Sequence, residues 1–534
     1  MRTRSCEVYL KISGAVKCSV RKIAETLGIS KSSAHRSIQT IKKRDVHPES
    51  HLWELEEGEK WLRLLYFGSI IFFVIYGGIG AERLSRFFTL IRINHRVASS
   101  PSKIKEIADI ASKLFEQYQQ EQESRHPIDK PLKVVGGVDE TYFSTMILVL
   151  MDLTSGYIFV EKESEDKKYE TWLELVESSA TKLNLKFKYF VSDRAKQLIK
   201  LATQGFKTSS VPDLFHASHE LVKLFGLKLN RLNKNIDEKL SKALIVYTFL
   251  DELNQNPHPI SLPQTQTIMY LQAQQTKIHE GIAKYKDILH RISKLLHPFD
   301  IENSSPMTSA MLETLLRIII EEGYELKENF NISTKKDHLK AFKDQIKGMS
   351  ALIDTWWIWV HEYLQEFECD DPLKTWIIQY LLPYLYWQKQ ATKTKSPDLK
   401  EAYLYAADQA RAELDENSLS QDYMKNKELI SGLEWMISNF QRTSSAVEGR
   451  NGWLSQMNHT ARGVSPVRLK AQTVLHNYYL KREDGTTAAE RLFHQKFPDP
   501  MEWIIERMGE LPLPRNRQCR SEERRVGKEC ATGC

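Results

Sequence analysis

Three acidic residues have the types and positions needed to bind divalent metal ions. Asp139 and Asp193 each follow an apolar run that predicts a β-strand. If the two strands are neighbours, their carboxylates meet, and close carboxylates raise each other's pKa unless a cation lies between them. Mg²⁺ binds few protein carboxylates and keeps positions for water and a substrate phosphate. Two such ions roughly 3.5–4 Å apart would hold the attacking and leaving oxygens of a phosphodiester.

Glu448 is the best candidate for the third metal-binding carboxylate, on a helix packed against the sheet. It is the only acid in the basic stretch 442–470. Gly449 and Gly452 are poor helix formers and indicate a close backbone approach. The alternative is structural, because Ser445-Ala-Val-Glu448 has the pattern of a capping box, in which the glutamate bonds the amide of the cap residue.

Nearby polar residues extend the predicted site. Arg194, Arg450 and Asn451 have side chains that suit contacts with a phosphate. Asp213 and His216 form an Asp-x-x-His pattern. A lone histidine near the start of a helix is usually structural; the alternative is that it orients an attacking water or a phosphate beside the metals.

Two other acids are not expected to bind metal. Successive side chains of a strand point to opposite faces, so Glu140 faces away from Asp139. Asp152 precedes the predicted turn 154–156 and is interpreted as a turn residue.

The elements that must position the acids follow a β-β-β-α-β-α-β-α order. Apolar and alternating runs predict strands at 133–139, 143–153, 157–161, 185–193 and 211–214. Helical patterns lie between the later strands and after the last, at 169–183, 194–202 and 216–225. Three antiparallel strands followed by right-handed crossovers to parallel strands give a mixed five-stranded sheet. This is the order of the α/β ribonuclease H-like fold.

The whole chain divides into six predicted segments. They are a helix-turn-helix at 1–50, a second helical region at 51–128, the first part of the α/β core at 129–225, an all-helical insertion at 226–440, the last part of the core at 441–519 and a non-native tail at 520–534. The insertion separates Asp193 from Glu448 by 255 positions. Its tryptophans have helical spacing, which is typical of core residues.

The N-terminal segment is predicted to bind DNA. Ser19 and Ser30 are candidate caps of two helices separated by a break at Gly28. The outward side of the second helix offers residue types that reach bases and phosphates in the major groove: Lys31, Ser32, Ser33, His35, Arg36 and Gln39. The alternative is a small helical bundle with a solvated basic face.

Composition favours a polyanionic partner for this end of the chain. The 534 residues carry a net charge of +6, but residues 1–47 contain 11 Lys or Arg and 3 Asp or Glu, a net of +8, which leaves about −2 for the remainder. Six cysteines in this length do not form a disulfide framework, and none forms a Cys-x-x-Cys pair, which agrees with a reducing cytosol.

Two segments of the sequence need a separate explanation, namely an apolar run and the C-terminal tail. The apolar run 64–81 is uncharged for 18 residues but contains four glycines and Ser69, so we expect a core helix and no membrane association. Residues 520–530 read Arg-Ser-Glu-Glu-Arg-Arg-Val-Gly-Lys-Glu-Cys, which resembles the translation of a sequencing-library adapter, and we exclude this tail from the fold.

The combined motifs resemble a DDE-type transposase of the ribonuclease H-like superfamily, of the bacterial insertion-sequence kind with a large helical insertion. The resemblance covers about 133–497. It rests on these stretches: Val138-Asp139-Glu-Thr, Val191-Ser-Asp193-Arg-Ala, Ser445-Ala-Val-Glu448-Gly-Arg-Asn-Gly, His476-Asn-Tyr-Tyr and Asp484-Gly-Thr-Thr-Ala-Ala-Glu-Arg-Leu-Phe493. It implies that Asp139, Asp193 and Glu448 are the catalytic, metal-binding triad, with Asp213 and His216 as an auxiliary pair.

The function expected from these features is Mg²⁺-dependent DNA transposition. The enzyme would bind two Mg²⁺ ions, with Mn²⁺ able to substitute, and would cut the ends of its element and join the 3′-OH to target DNA. A homodimer is expected on the DNA, in the cytoplasm at the nucleoid. Two alternatives remain open: a nuclease of the same fold without strand transfer, and a non-catalytic DNA-binding regulator left by a decayed element.

Overall fold

The computed structural model describes residues 18–46, 56–125, 130–143, 145–253, 262–367, 370–416, 426–461 and 463–514. The adapter-like tail at 520–534 lies outside these residues. The chain divides into two compact units, Met1–Arg125 with Gln456–Cys534, and His126–Ser455. The second unit holds the sheet, the helical insertion and Glu448 together, so the boundaries predicted at 225 and 440 fall inside one unit.

The N-terminal helix pair begins the first unit. α1 spans Val20–Thr26 and α2 spans Lys31–Val46. Ser19 caps α1 by accepting a hydrogen bond from the backbone N–H of Lys22 at 3.3 Å. Gly28 takes φ 59° in the turn, a left-handed conformation that costs glycine little. A small apolar core holds the pair together: Ile23, Ala24 and Ala34.

The other helices of the first unit come from both ends of the chain. They are α3 (Glu56–Ser69), its π-helical continuation Ile70–Tyr76, α4 (Ala81–Leu90), α5 (Pro101–Arg125), and near the C-terminus α19 (Pro466–Tyr478), α20 (Ala488–Phe493) and α21 (Pro500–Arg507). The hydroxyl of Tyr118 donates to the carbonyl of Pro498, and Gln472 donates to the carbonyl of Ile75 at 3.0 Å. The segment after Ser455, which we predicted to complete the α/β core, therefore belongs to this unit.

The apolar run 64–81 lies in the core of the first unit. Its buried side chains include Tyr66, Phe67, Ile70, Ile71, Val74 and Ile75. Among the described residues, no helix combines the length and the hydropathy needed to cross a bilayer.

The second unit is an α/β structure built on a mixed five-stranded sheet. The strands are β1 (Leu132–Tyr142), β2 (Met146–Asp152), β3 (Ile158–Ser164), β4 (Leu185–Ser192) and β5 (Ser209–Pro212). Their order is β3-β2-β1-β4-β5. The pairs β1–β2 and β2–β3 are antiparallel, whereas β1–β4 and β4–β5 are parallel. The predicted strand order and sheet type are confirmed.

Three short helices connect and follow the parallel strands. They are α6 (Tyr169–Lys182), α7 (Lys196–Lys200) and α8 (Leu214–Leu221). One sequence prediction about the sheet is wrong. We expected β1 to end at Asp139, but the strand continues to Tyr142, because Asp139 through Tyr142 still pair with β2 after the pairing with β4 has ended at Gly137.

Helices make up the rest of the second unit in the described residues. They are α9 (Leu227–Leu253), α10 (Leu262–Leu295), α11 (Ser309–Asn329), α12 (His338–Lys343), α13 (Ile346–Glu366), α14 (Asp371–Trp376), α15 (Leu382–Lys393), α16 (Pro397–Asp415), α17 (Lys427–Ser438) and α18 (Ser445–Ala461). Four tryptophans of the insertion are buried, as predicted: Trp356, Trp359, Trp376 and Trp387. Packing of this kind makes the insertion part of a shared core.

Gly137 lets α18 lie close against β1. A Cβ atom at this position would come within 2.8 Å of Val447 Cγ2 on α18, and closer still to Leu153. Val447 directly precedes Glu448. The glycine therefore sets the distance between the strand that carries Asp139 and the helix that carries Glu448.

We expect Gly137→Ala to lower the free energy of unfolding by about 1–3 kcal/mol, because the added methyl group overpacks the contact between β1 and α18. Urea unfolding followed by circular dichroism measures this change. Gly452→Ala is the matched control: an added Cβ there meets none of the described atoms within 4 Å, so the helix should gain about 0.5–1 kcal/mol. Equal effects of the two substitutions would contradict the close packing.

Candidate active site

Asp139 and Asp193 lie at the same edge of the sheet, on neighbouring parallel strands. The last pair between β1 and β4 joins Gly137 to Val191, and each aspartate follows that pair by two residues. The pKa of Asp139 is raised to about 6, first by burial and then by the negative charges of Asp193 and Glu140. The two carboxylates therefore repel each other, as the sequence predicts.

Hydrogen bonds fix the orientation of both aspartates. Asp139 Oδ1 accepts from the backbone N–H of Glu140 at 2.9 Å, and Asp139 Oδ2 accepts from Nδ2 of Asn451 at 2.8 Å. The exposed Asp193 accepts through Oδ1 from the backbone N–H of Ala195 at 2.9 Å. Asn451 thus binds a catalytic candidate directly, which differs from the phosphate contact we predicted for it.

Glu448 reaches the same neighbourhood from α18. Its Oε1 lies 3.0 Å from Nε2 of His216. His216 in turn interacts with Asp139, where its charge acts to lower the pKa of the aspartate. His216 therefore links Glu448 to Asp139, which lies beside Asp193, although Asp193 and Glu448 are far apart in sequence.

The capping-box alternative for Glu448 is wrong. α18 begins at Ser445, and the backbone N–H of both Val447 and Glu448 bond the carbonyl of Ser444 at 2.8 and 3.1 Å. Ser445 is thus inside the helix, one position too late to be the cap. The interpretation of Gly449 and Gly452 is also wrong: an added Cβ at either position meets none of the described atoms within 4 Å.

Asp213 joins the two helices that carry His216 and Glu448. Its Oδ1 accepts from the backbone N–H of Phe215 at 2.7 Å and of His216 at 3.1 Å, so it caps α8. Its Oδ2 accepts from the backbone N–H and the hydroxyl of Ser444, directly before α18. Asp213 is buried and acts as a positioning residue.

A second contact holds the segment before α18 to the helical insertion. The carbonyl of Arg442 accepts from the backbone N–H of Leu214 at 3.0 Å. Its guanidinium donates to the carbonyls of Ser293 and Leu296 and lies 3.0 Å from Nε2 of His297. Burial, with the charge of Arg442, lowers the pKa of His297 well below its usual value, so this imidazole is neutral near pH 7.

The two arginines predicted to contact phosphate both pack against other parts of the second unit. Arg450 forms a buried bidentate ion pair with Glu161, with N···O distances of 2.6 and 2.7 Å, and its guanidinium lies 4.2 Å from the ring of Trp453. Arg194 takes φ 64° and is half-buried, with Nη1 against Gly348 of α13. Because its guanidinium is buried and paired with Glu161, Arg450 is not placed to contact DNA. The sequence contains no local signal that pairs Arg450 with a strand residue 289 positions away.

The two acids set aside from the metal site have hydrogen-bond partners of their own, and the turn role predicted for Asp152 is confirmed. Glu140 accepts from Nε2 of Gln197 at 2.9 Å. Asp152 is buried and accepts from the backbone N–H of Val135 and from the backbone N–H and hydroxyl of Ser155. It therefore stabilises the turn between β2 and β3.

Sequence reasoning missed an open cavity beside the cluster. Its volume is about 440 Å³, and its lining includes the exposed ring of Tyr142 and two lysines, Lys167 and Lys168. Two acids also line it, Glu165 and Asp166. Nζ of Lys167 lies 5.4 Å from the centre of the Tyr142 ring and 3.9 Å from Glu140. Aromatic and cationic groups together suit a nucleotide.

The predicted DNA-contacting side chains of α2 lie in the first unit. Most of them are exposed: Lys31, Ser32, His35, Arg36 and Gln39. Ser33 is half-buried, and Ser30 Oγ, which accepts from its backbone N–H at 3.1 Å, also donates to its hydroxyl at 2.9 Å. Ser33 thus belongs to the helix cap.

The acids near His216 have the oxygen donors that a metal site needs. Within the described part of the chain, no group of three or more His, Cys, Asp or Glu side chains is arranged so that it could hold a metal ion. The residue types are nevertheless those that bind Mg²⁺, because carboxylates supply oxygen ligands and the neighbouring Asp139 and Asp193 repel each other without a cation. Asn451 Oδ1 adds a buried oxygen to which the described atoms offer no hydrogen bond.

Part of the chain matches a known family model. Residues 377–520 match the model of DUF6399, a family of unknown function. This is about a quarter of the chain, and it includes α18 with Glu448. No curated protein matches the chain.

We expect Asp139→Asn to raise the free energy of unfolding at pH 7 in EDTA by on the order of 1–3 kcal/mol. The pKa of Asp139 is about 6 in the folded protein, against an ordinary value of 3.8. Ionisation of Asp139 therefore lowers the free energy of unfolding by its full amount above pH 6, and this loss disappears as the pH falls towards 4. The advantage of the variant should therefore shrink between pH 7 and pH 5. Asn451 can rotate and offer its free Oδ1 to the new amide.

Chemical unfolding of both proteins across this pH range measures the effect. Asp193→Asn is the control, because Asp193 is exposed and its neutralisation should change stability less. Loss of stability in Asp139→Asn at pH 7 would contradict the proposed repulsion.

Asp213→Ala should lower the free energy of unfolding by about 2–4 kcal/mol, because it removes a helix cap and leaves the buried donors of Ser444 without their acceptor. Hydrogen exchange should also become faster in the first turns of α8 and α18. Asp337→Ala is the matched control, since Asp337 is an exposed cap of α12 and should cost only about 1 kcal/mol. An equal cost for both variants would show that Asp213 is only a cap.

Proposed function

We propose that the chain is a Mg²⁺-dependent DDE-type transposase with a ribonuclease H-like core. The observation that carries the proposal is that His216 contacts Glu448 and also acts on Asp139, which lies beside Asp193 at one edge of the sheet. The strand order supports it, since three antiparallel strands are followed by two parallel ones. The match to a family of unknown function neither supports nor opposes an activity.

Mg²⁺ bound by Asp139, Asp193 and Glu448, or Mn²⁺ in its place, would supply Lewis acid chemistry at a phosphodiester. The chain's own residues prepare the site. Asn451 holds Oδ2 of Asp139 in a fixed orientation. His216 holds Glu448 through Nε2, and this contact must loosen for Glu448 to act as a ligand. Asp213 keeps both supporting helices in register.

DNA is the proposed substrate. The exposed residues of α2 would bind the ends of the element in a major groove. In the second unit, Tyr142, Lys167 and Lys168 would contact the strand next to the scissile phosphate. The 3′-OH exposed by hydrolysis at one end would attack a phosphodiester of target DNA, with the new bond formed as the old bond to the leaving oxygen breaks.

The proposal is tested by cleavage and joining of DNA that carries the ends of the genetic element. With Mg²⁺, the wild-type protein should produce nicked ends and then joined products. Asp139→Asn, Asp193→Asn and Glu448→Gln should each reduce the rate at least 100-fold, because each removes an oxygen ligand of the metals. Glu174→Gln, an exposed acid on α6, is the control and should keep full activity.

Metal binding is measured separately by thermal unfolding with and without Mg²⁺. The wild-type protein should gain melting temperature with Mg²⁺, and the three variants should gain much less. Full cleavage by any of the three variants would remove that residue from the site. Nicks without joined products would identify a nuclease, and salt-dependent binding without cleavage would identify a DNA-binding regulator.

A further inference from the structure

Three phenylalanine rings of the first unit touch one another near the protein surface. Phe72 and Phe73 lie in the π-helical continuation of α3, and their ring centres are 5.7 Å apart. Phe73 also contacts Phe87 of α4, with 6.2 Å between the ring centres. Phe72 is 46% exposed and Phe87 is 37% exposed. These contacts therefore join two helices and leave a partly open aromatic face.

The outward side of α4 continues this aromatic face. The buried side of the helix carries Ala81, Leu84 and Phe88. On the opposite side, residues spaced by three and four positions share one face, and all are exposed: Arg83, Arg86, Phe87 and Leu90. We give the name aromatic–basic surface to the following residues: Phe72, Phe73, Arg83, Arg86, Phe87 and Leu90.

The charge of this part of the chain favours a polyanionic ligand. Residues 83–105 contain six Lys or Arg and neither Asp nor Glu. Lys103 is paired with Glu106 at 2.6 Å, but no described residue forms an ion pair with Arg83 or Arg86. Glu82 is the single acid of α4. An excess of exposed positive charge attracts phosphate groups.

The aromatic rings show which form of polyanion fits. In a duplex the bases stack on each other and present only their edges in the grooves, so rings on a protein surface gain no stacking contact. In an unpaired strand each base can stack on an aromatic ring while the phosphates meet cations. A lipid surface fits less well, because partly covered rings do not reach the depth of about 5–10 Å at which interfacial helices insert.

We propose that the aromatic–basic surface binds an unpaired nucleic-acid strand. Phe72 and Phe87 would stack with bases, and Arg83 and Arg86 would contact phosphates of the same strand. This site differs from the duplex site proposed for α2 in its residues and in the form of nucleic acid that it takes. The proposal does not rest on catalysis, because the surface lies in the first unit and its test needs no Mg²⁺. A failed cleavage assay would therefore bear only on the proposed function.

Fluorescence anisotropy of a labelled strand of about 20 nucleotides, mixed with the full chain in EDTA, tests the proposal. The wild-type protein should bind the strand with a dissociation constant on the order of 1–10 µM at roughly 0.1 M salt. Phe72→Ala/Phe87→Ala should weaken this binding at least about 10-fold, because each lost ring removes a stacking partner. The affinity for the matching duplex should stay unchanged. Tyr405→Ala is the matched control, since it removes a 62% exposed ring from α16 of the second unit and should change neither affinity.

A salt titration separates the two kinds of contact. Arg83→Gln/Arg86→Gln should reduce the slope of log affinity against log salt concentration by about 1.4, because each phosphate contact in a single strand contributes about 0.7. The phenylalanine double variant should lower the affinity equally at every salt concentration and keep the slope of the wild-type protein.

Circular dichroism confirms that the variants fold, and Phe72→Leu/Phe87→Leu provides a second test, since it keeps apolar side chains but removes the rings. Strand binding that is unchanged in both phenylalanine double variants would overturn the proposal. Equal losses of affinity for the strand and the duplex would overturn it as well. Binding to phosphatidylserine vesicles that is lost in these variants, while strand binding is kept, would identify a lipid surface instead.

Discussion

The buried carboxylate of Asp213 is the interaction on which the candidate site depends. It satisfies two backbone donors at the start of α8 and two donors of Ser444 at the start of α18. A buried charge is tolerated only when hydrogen bonds replace its hydration, and four donors supply this. One side chain thereby fixes the directions of two helices whose starts are 231 positions apart. Because His216 and Glu448 lie in the first turns of these helices, their 3.0 Å contact follows from this arrangement.

The helical insertion contributes to the same arrangement. A flexible loop of more than 200 residues could close at a modest entropic cost, but it would not hold Glu448 in one position. Here the intervening chain packs with the sheet in one unit, and Arg442 is held by carbonyls of α10 and its following residue, next to a neutral, buried His297. The insertion therefore acts as a rigid support that delivers α18 to the edge of the sheet.

The order of the strands was predictable because each strand is a short apolar run between turn signals, and because crossovers between parallel strands are right-handed. The positions of Asp139 and Asp193 followed from that order. The end of β1 was not predictable, since it depends on continued pairing with β2 after β4 has ended. The ion pair of Arg450 with Glu161 was also hidden, because the sequence records a charge but not the distant partner that buries it. Likewise, the sequence did not show that the helix cap is Ser444 and not Ser445. This difference of one residue removes the capping-box role that the sequence offered for Glu448.

Two groups of charged side chains near α18 differ in how their charge is balanced: the Arg450–Glu161 pair and the acids around Asp139. Arg450 and Glu161 neutralise each other in a buried bidentate pair, so nothing further is needed to stabilise them. Asp139 is also largely buried, yet its strongest charged neighbours, Asp193 and Glu140, are acids, and its partner Asn451 is neutral. A fold under selection for stability alone would replace such a carboxylate with a neutral side chain. The proposed cation from solution would offset the excess of negative charge around Asp139, which the balanced ion pair does not need.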